Sequence, residues 1–180
     1  MKLKGRAWTF GDQLGATYFL SGKYDALVRA SKFEELATHV LEDVDPNFVK
    51  KVRPGDLIVA GTAFGTGKHL EGLIGAFKAL GLGGVMARGF AAAWERDSIN
   101  LGFPAVLCPD PESAVRTGDE LEIELDQQEA RNLTRACVFA ITPTPAGIIE
   151  LLEAGGIEPY TLRRLRAMQA AEPSNDMQTN

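Results

Sequence analysis

The stretch DLIVAGTAFGTGKHLEGLIGAFKALG, residues 56–81, joins an apolar run to a glycine-rich turn and then to an amphipathic segment. The run LIVA has the length and composition of a short strand that is buried on both faces. After the turn, apolar residues recur at the spacing of one helix face: Leu70, Leu73, Ile74 and Phe77. The stretch therefore predicts a buried strand, a glycine turn and a helix that packs on a core.

The same order of elements is repeated on the carboxyl side of this stretch. Residues 83–88 (GGVMAR) predict a second buried strand, and residues 89–102 predict a second helix. Residues 103–109 (FPAVLCP) predict a third strand. On the amino side, residues 2–10 (KLKGRAWTF) predict one more strand, which ends at a glycine-bounded loop. The alternation of strands and helices implies parallel strands joined by right-handed crossovers.

Three helices are predicted between the first strand and the central stretch. Residues 16–30 lack a clear pattern and predict a loop and a short helix. Residues 31–44 begin with Ser31 as a helix N-cap, and Glu34, three residues later, completes a capping box. Residues 45–52 predict a short helix that Asp45 caps. The amino-terminal half therefore has an α/β character.

The second half of the chain has a different pattern. Residues 119–141 predict two antiparallel strands, because Leu121, Ile123 and Leu125 alternate with acidic residues. Two helices separated by a pair of glycines follow, and the polar tail, residues 171–180, is predicted to be disordered. The chain as a whole predicts one α/β domain over residues 1–170, with a mixed central sheet whose parallel core is flanked by helices.

The charge and the cysteines narrow the class of protein. The net charge of −5 argues against a nucleic-acid binder, which needs a basic excess. The two cysteines, Cys108 and Cys137, lie far apart and predict buried reduced thiols, with a structural disulfide as the alternative. They cannot supply the thiolates of an iron–sulfur cluster. With no apolar leader and no run of membrane-spanning length, the sequence predicts a cytoplasmic protein that does not enter a membrane.

The glycine turn is the candidate ligand site. Gly65 and Gly67 allow positive φ angles and a close approach of backbone N–H groups, and the start of a helix favours an anion. Lys68 adds a positive charge and His69 a group of the type that titrates near neutrality. The spacing fits neither the dinucleotide-binding fingerprint nor the P-loop. A simple tight turn is the alternative, and Thr66 either donates to a ligand or caps the helix.

Four segments together resemble the family of 3-isopropylmalate dehydratase small subunits, which is equivalent to the swivel domain of aconitase. They are GRAWTFGDQL (residues 5–14), LEDVDPNFVKKVRPGDLIVAGTAFGTG (41–67), INLGFPAVLCPD (99–110) and LLEAGGIEPY (151–160). The resemblance covers nearly the whole chain except the tail. It implies an α/β swivel domain of β/β/α type.

The resemblance also implies a function and a partner. In this family the small subunit docks on a large subunit, which holds a 4Fe-4S cluster whose open iron binds the substrate. The two subunits remove and re-add water on a 2-hydroxy di- or tricarboxylic acid, with isopropylmalate, an intermediate of leucine biosynthesis, as the default substrate. The implied cofactor therefore belongs to the partner, and this chain is expected to bind a small carboxylic acid and no metal.

Several positions depart from the family pattern. The family loop F-G-x-G-S-S-R-E-H stands here at residues 64–72, with Lys68 in place of the serine that acts as base. His69 replaces the second serine, and Leu70 replaces an arginine that pairs with a substrate carboxylate. The family's D-x-x-D-T-D and S-F-A-R patterns are also altered, at residues 12–17 and 89–92. The scaffold positions fit, which indicates altered chemistry on a retained fold.

Three explanations are open for the altered loop. Lys68 or His69 replaces the serine as proton acceptor, or both only bind a substrate carboxylate, or the subunit is catalytically inactive and has a structural or regulatory role. A stand-alone binder of small acids is a further alternative. We take Lys68 and His69 as the catalytic candidates and five residues of the turn as substrate-binding candidates: Gly65, Thr66, Gly67, Lys68 and His69.

Other charged residues receive weaker assignments. Arg6 and Arg88 are further candidates for carboxylate contacts, although exposed arginines usually have no such role. Glu71 is expected to contact the loop backbone. His39 is expected to be a surface or half-buried residue without a role.

Overall fold

The structure, a computed structural model, describes residues 1–171. Within this range one sheet holds seven strands: β1 Lys2–Thr9, β2 Leu57–Ala60, β3 Gly84–Ala87, β4 Ala105–Leu107, β5 Glu120–Glu124, β6 Glu129–Asn132 and β7 Cys137–Ala140. Their order across the sheet is β4-β3-β2-β1-β5-β6-β7. Beyond Ala171, the tail that the sequence predicts to be disordered lies outside the described residues.

The helices in the same range fill the connections between strands. They are α1 Ala16–Phe19, α2 Asp25–Arg29, α3 Phe33–Ala37, α4 Phe48–Lys51, α5 Leu70–Ala79, α6 Ala92–Asn100, α7 Pro111–Ala114, α8 Ala146–Ala154 and α9 Ile157–Ala171, with a 3-10 helix at Gly22–Tyr24. Among the helices of this part of the chain, none combines the length and the apolar character that a bilayer crossing requires.

The amino-terminal half of the sheet is parallel, as the sequence predicts. β1 pairs with β2, β2 with β3 and β3 with β4, all in parallel. The antiparallel half begins at β5, which pairs with the other edge of β1. The mixed sheet with a parallel core is therefore confirmed.

The prediction of two antiparallel strands in residues 119–141 is wrong, because the segment holds three. β5, β6 and β7 form a meander whose turns lie at residues 125–128 and 133–136. Neither turn contains glycine or proline, and Gln128 and Ala136 adopt positive φ angles of 58° and 51°. The two strongest turn-forming residues are therefore missing, and Asp126 and Asn132 leave only a weaker signal.

The predicted caps of the two helices before β2 are also wrong. Ser31 has a φ angle of 51°, and its N–H donates to the carbonyl of Val28, so it ends α2 instead of starting α3. Lys32 occupies the N-cap position of α3. Asp45 lies three residues before α4 and forms a turn there, in which its carboxylate accepts from the Asn47 N–H at 3.0 Å. In both cases a local turn competes with the helix for the capping residue.

One hydrophobic core lies between the parallel strands and the helices. Ile58 of β2 and Val85 of β3 point toward this side, where they meet Phe19 and Trp94. The predicted apolar stripe of α5 is buried in the same core: Leu70, Leu73, Ile74 and Phe77. The helix prediction for this segment is therefore confirmed.

A second core lies on the opposite face of the sheet. Alternate residues of the same strands, Leu57 and Met86, join Leu121 and Ile123 of β5 and Leu152 of α8. The central strands are thus buried on both faces, as their uninterrupted apolar runs predict.

Arg6, a candidate for carboxylate binding, is instead paired inside the protein. Its guanidinium donates to the buried Asp56 carboxylate at 2.8 Å, and Trp8 Nε1 and the Arg53 N–H donate to the same oxygen at 2.8 and 3.0 Å. Burial alone would raise the pKa of Asp56, but these hydrogen bonds outweigh it and hold the pKa below its ordinary value. Arg6 and Asp56 therefore stabilise the start of β2.

We expect the Asp56→Asn variant to lower the free energy of unfolding at neutral pH by about 1–3 kcal/mol, because charge-assisted hydrogen bonds are lost. The pKa of Asp56 is depressed in the folded state, so the ionised carboxylate stabilises the fold at pH values above its unfolded pKa of about 3.9. This stabilisation is lost as the pH falls through the folded pKa. Urea unfolding across pH measures both effects. The exposed control Asp43→Asn should change the free energy by less than about 0.5 kcal/mol, and a wild-type advantage that persists undiminished in strong acid would contradict the assignment.

Candidate active site

The loops that follow the parallel strands meet at one edge of the sheet. The loop after β1 binds the loop after β2, because Gln13 N–H donates to the Thr62 carbonyl at 2.7 Å and Ala16 N–H donates to the Thr66 carbonyl at 2.7 Å. The loop after β3 joins them through a bond from Phe64 N–H to the carbonyl of Gly89 at 3.0 Å. Ligands of open α/β sheets bind at this carboxyl edge.

Both glycines of the turn adopt the positive φ angles that the sequence predicts. Gly65 has a φ angle of 78°, and a Cβ at this position would lie 2.5 Å from Cγ of Trp94. Gly67 has a φ angle of 112°, with atoms of Ala16 no nearer than 3.8 Å to a Cβ there. Gly65 thus packs the turn on the core, while a Cβ at the exposed Gly67 would lie only at ordinary contact distance from Ala16.

His69 marks the start of α5. It occupies the N-cap position with a left-handed φ angle of 60° and makes no side-chain cap, and Leu70 behind it is buried. The prediction that Thr66 caps the helix is wrong, since Thr66 lies three residues before the N-cap and is bridged to Gly15 of the first loop. The backbone of the turn therefore carries the side chains of Thr66, Lys68 and His69 outward.

Lys68 and His69 line a groove of about 360 Å³ between the turn and helices α1 and α2. Part of the groove wall is apolar, with Leu20, Val28 and Leu73 among its side chains. The polar side chains of the groove are Thr17, Ser21, Asp25, Lys68 and His69. The groove therefore combines a lysine ammonium and a histidine imidazole with an aliphatic wall.

Asp25 is the charged residue of this groove that sequence reasoning missed. Its Oδ2 lies 3.9 Å from Nε2 of His69, and the two side chains are 44% and 45% exposed. Asp25 stands in a segment without periodicity, far from the turn along the chain. No sequence signal therefore connects it with His69.

A second groove, of about 340 Å³, lies on another side of His69. It is lined by Gly67, His69 and Glu71 from the turn and α5, and by Arg96 and Asp97 from α6. Arg96 Nε donates to Asp97 at 2.8 Å. Glu71 is exposed in this groove, and its predicted contact with the loop backbone stays a prediction. His69 and Val28 are thus the side chains that the two grooves share, and His69 is the polar one of the two.

Arg88 lies at the carboxyl edge but is paired within the chain. Its guanidinium donates to Glu112 and lies 3.6 Å from Asp110. Nearby, the N–H and the hydroxyl of Thr62 donate to Asp12, and these bonds hold the pKa of Asp12 below its ordinary value. Arg88 and Asp12 therefore both stabilise the loops of the site through contacts within the chain.

Within residues 1–171, no group of three or more histidine, cysteine or acidic side chains is placed to hold a metal ion. Cys108 and Cys137 are free, and burial raises the pKa of the Cys108 thiol. Cys137 is half-buried, so the prediction of two buried thiols holds for Cys108 alone. The donor set of this part of the chain does not fit an iron–sulfur cluster.

His39 lies in a turn at residues 38–44 and not on a helix face. Its Nδ1 is 2.9 Å from Glu42, and its ring stacks on Tyr24 at 4.0 Å. These contacts join the turn to the 3-10 helix that precedes α2.

Comparisons with known proteins show which protein family the chain belongs to. No family model matches it. It is 42% identical over 160 residues to 3-isopropylmalate dehydratase small subunit 2 of Archaeoglobus fulgidus, covering 89% of this chain and 94% of the relative. It is 38% identical to the isopropylmalate/citramalate isomerase small subunit of Methanocaldococcus jannaschii, covering 93% and 98%.

A solved structure shares the fold. The crystal structure of 3-isopropylmalate dehydratase (leuD) from Methanocaldococcus jannaschii superposes with a TM-score of 0.86 at 33% identity, covering 96% of this chain and all of that chain. The mixed sheet, with its loop site at the carboxyl edge, thus defines a swivel-type α/β domain of the aconitase class. Given the identity and coverage of its relatives, the chain belongs to the family of 3-isopropylmalate dehydratase small subunits.

Proposed function

We propose that this chain is the small subunit of a hydro-lyase that interconverts isopropylmalate isomers by removing and re-adding water, a step of leucine biosynthesis. The observation that carries the proposal is full-length similarity to small subunits of this dehydratase. A large subunit is the proposed partner, and it is proposed to hold the 4Fe-4S cluster.

The groove supports a dicarboxylate with an aliphatic substituent as the substrate. Lys68 offers an ammonium to a carboxylate, and Leu20, Val28 and Leu73 offer an apolar wall to a branched alkyl group. The Asp25 carboxylate on the same groove disfavours a third carboxylate by like-charge repulsion. Isopropylmalate fits this description better than a citrate-like acid.

His69 is the proposed proton acceptor. Dehydration removes a proton from the carbon next to a carboxylate and breaks the C–O bond of the neighbouring carbon, whose electron pair leaves with the oxygen as the double bond forms. A neutral imidazole accepts the proton of the carbon, and the departing hydroxide takes a second proton from the solvent to leave as water. When water adds back, the imidazolium returns its proton to the carbon, and the added water releases one proton to the solvent. Lys68 holds a carboxylate during both steps. Gly65, Thr66 and Gly67 are proposed to shape the turn that brings both side chains to the substrate.

A non-catalytic small subunit is the second candidate. It is favoured by the altered loop, in which Lys68, His69 and Leu70 stand where the family pattern has two serines and an arginine. The two candidates differ in one measurable respect, which is whether changes in the loop alter turnover of the assembled complex.

Co-expression with the large subunit encoded in the same genome tests the proposed function. The purified complex should hydrate isopropylmaleate, followed as loss of the ultraviolet absorbance of its double bond. A stable complex that is active with its own cluster but indifferent to changes at both Lys68 and His69 would support the non-catalytic candidate. Failure of the two chains to associate would overturn the assignment as a subunit.

We expect the Lys68→Ala variant of the complex to raise KM by about 10- to 100-fold with little change in kcat, because a charge-assisted hydrogen bond to a carboxylate is lost. Steady-state kinetics at saturating and limiting substrate separate the two constants. Lys32→Ala is the matched control, since Lys32 is exposed and, within residues 1–171, is paired only with Glu35 at 3.3 Å. If kcat falls steeply at unchanged KM, Lys68 is the proton acceptor and not the carboxylate ligand.

A further inference from the structure

We propose that Asp25 is a positioning residue for His69, an inference that rests on the proposed function. Its carboxylate accepts the Nε2–H of the imidazole and so leaves Nδ1 as the nitrogen that takes the substrate proton. The two side chains line the same groove, with Oδ2 of Asp25 3.9 Å from Nε2 of His69. Catalytic pairs are often longer than a hydrogen bond before substrate binds.

The packing of helix α2 on helix α5 fixes this pair. A Cβ on Gly72 would lie 2.7 Å from Cγ1 of Val28, so the absence of a side chain at Gly72 allows the two helices to approach closely. Val28 stands three residues after Asp25, and Gly72 stands three residues after His69. Asp25 and Val28 lie about one turn apart on α2, and His69 and Gly72 lie about one turn apart at the start of α5. The first pair therefore lies against the second.

The segment before α2 is held as well. The Tyr24 hydroxyl donates to Glu42, and its ring stacks on His39 with centroids 4.0 Å apart. Asp25 directly follows Tyr24, and Val28 anchors the other side of the same helical turn. The carboxylate of Asp25 thus lies on a helix that is fixed at both ends, as a positioning residue requires.

The other charged groups around His69 do not offer the same contact. Lys68 shares the first groove with it, and Glu71, Arg96 and Asp97 face it from the second. Asp97 is bound to Arg96 at 2.8 Å. Among the described residues, the carboxylate paired with His69 is that of Asp25. A carboxylate there sets the tautomer of the imidazole and stabilises the imidazolium that forms when the substrate proton is taken.

The test is the Asp25→Asn variant of the assembled complex. We expect kcat to fall about 10- to 100-fold while KM stays within about twofold, because proton transfer is weakened and binding is not. The acid limb of the kcat profile should move to lower pH, since the imidazolium loses its carboxylate. In the isolated labelled chain, nitrogen NMR should show the Nε2–H form of His69 in the wild type and a smaller share of it in the variant.

Two further variants keep the outcomes distinct. Asp25→Glu keeps the carboxylate and should restore part of kcat, and Asp45→Asn, at an exposed acid paired with Lys51 at 3.0 Å, should behave as wild type. If changes at His69 stop turnover while Asp25→Asn keeps the wild-type kcat, pH profile and tautomer, the inference about Asp25 is wrong and the proposed function stands. If changes at His69 leave turnover intact, the proton-acceptor role itself is wrong. A folded Asp25→Glu variant with the properties of Asp25→Asn also overturns the inference.

Discussion

The His69→Asn variant, assembled with its large subunit, is expected to turn over about 10²- to 10⁴-fold more slowly than the wild type at saturating substrate, the range that a general base contributes. Asparagine is chosen because it tolerates the left-handed φ angle of 60° at this position and removes only the proton-accepting group. The measurement is kcat for hydration of isopropylmaleate, together with the pH profile of the residual activity.

Two controls accompany this prediction. The thermal midpoint of the His69→Asn chain should match that of the wild type, because the imidazole is 45% exposed and makes no side-chain cap to α5. Complex formation with the large subunit should also be unchanged. A folded, assembled variant that keeps the wild-type kcat would rule out His69 as the proton acceptor and favour the non-catalytic candidate.

The Gly65→Ala variant is expected to lose about 2–5 kcal/mol of unfolding free energy, which is the largest stability effect we predict. About 1–2 kcal/mol comes from a side chain in the left-handed region, and about 1–3 kcal/mol from overpacking. The overpacking arises because the new Cβ would lie 2.5 Å from Cγ of the fully buried Trp94. Urea unfolding followed by tryptophan fluorescence measures the change.

Gly118→Ala is the matched control for this variant. Gly118 has a φ angle of 95°, similar to the 78° of Gly65, but no atom lies within 4 Å of a Cβ built on it. The control should therefore lose only the backbone contribution of about 1–2 kcal/mol. Equal losses for the two variants would show that the contact between Gly65 and Trp94 adds nothing to the stability of the turn.

The elements that the sequence predicts well are those with a strong local pattern. The apolar run of residues 57–60 and the helical stripe from Leu70 to Phe77 are both found as predicted. Ser31 shows the limit of such patterns, because a serine before a helix is also a good end for the preceding one. The turns between β5, β6 and β7 show a different limit, because they contain no glycine or proline and the sequence marks them only weakly.

The sequence by itself determined the parallel half of the sheet, the left-handed glycines of the turn and the family, because periodicity, glycine content and motif order are local or linear properties of the chain. Only the tertiary structure decided that Arg6 and Arg88 are occupied by internal carboxylates and that Asp25 lies beside His69. These contacts join segments that are far apart in the chain, and they depend on how closely helices and loops approach one another. For α2 and α5, the absence of a side chain at Gly72 sets this distance.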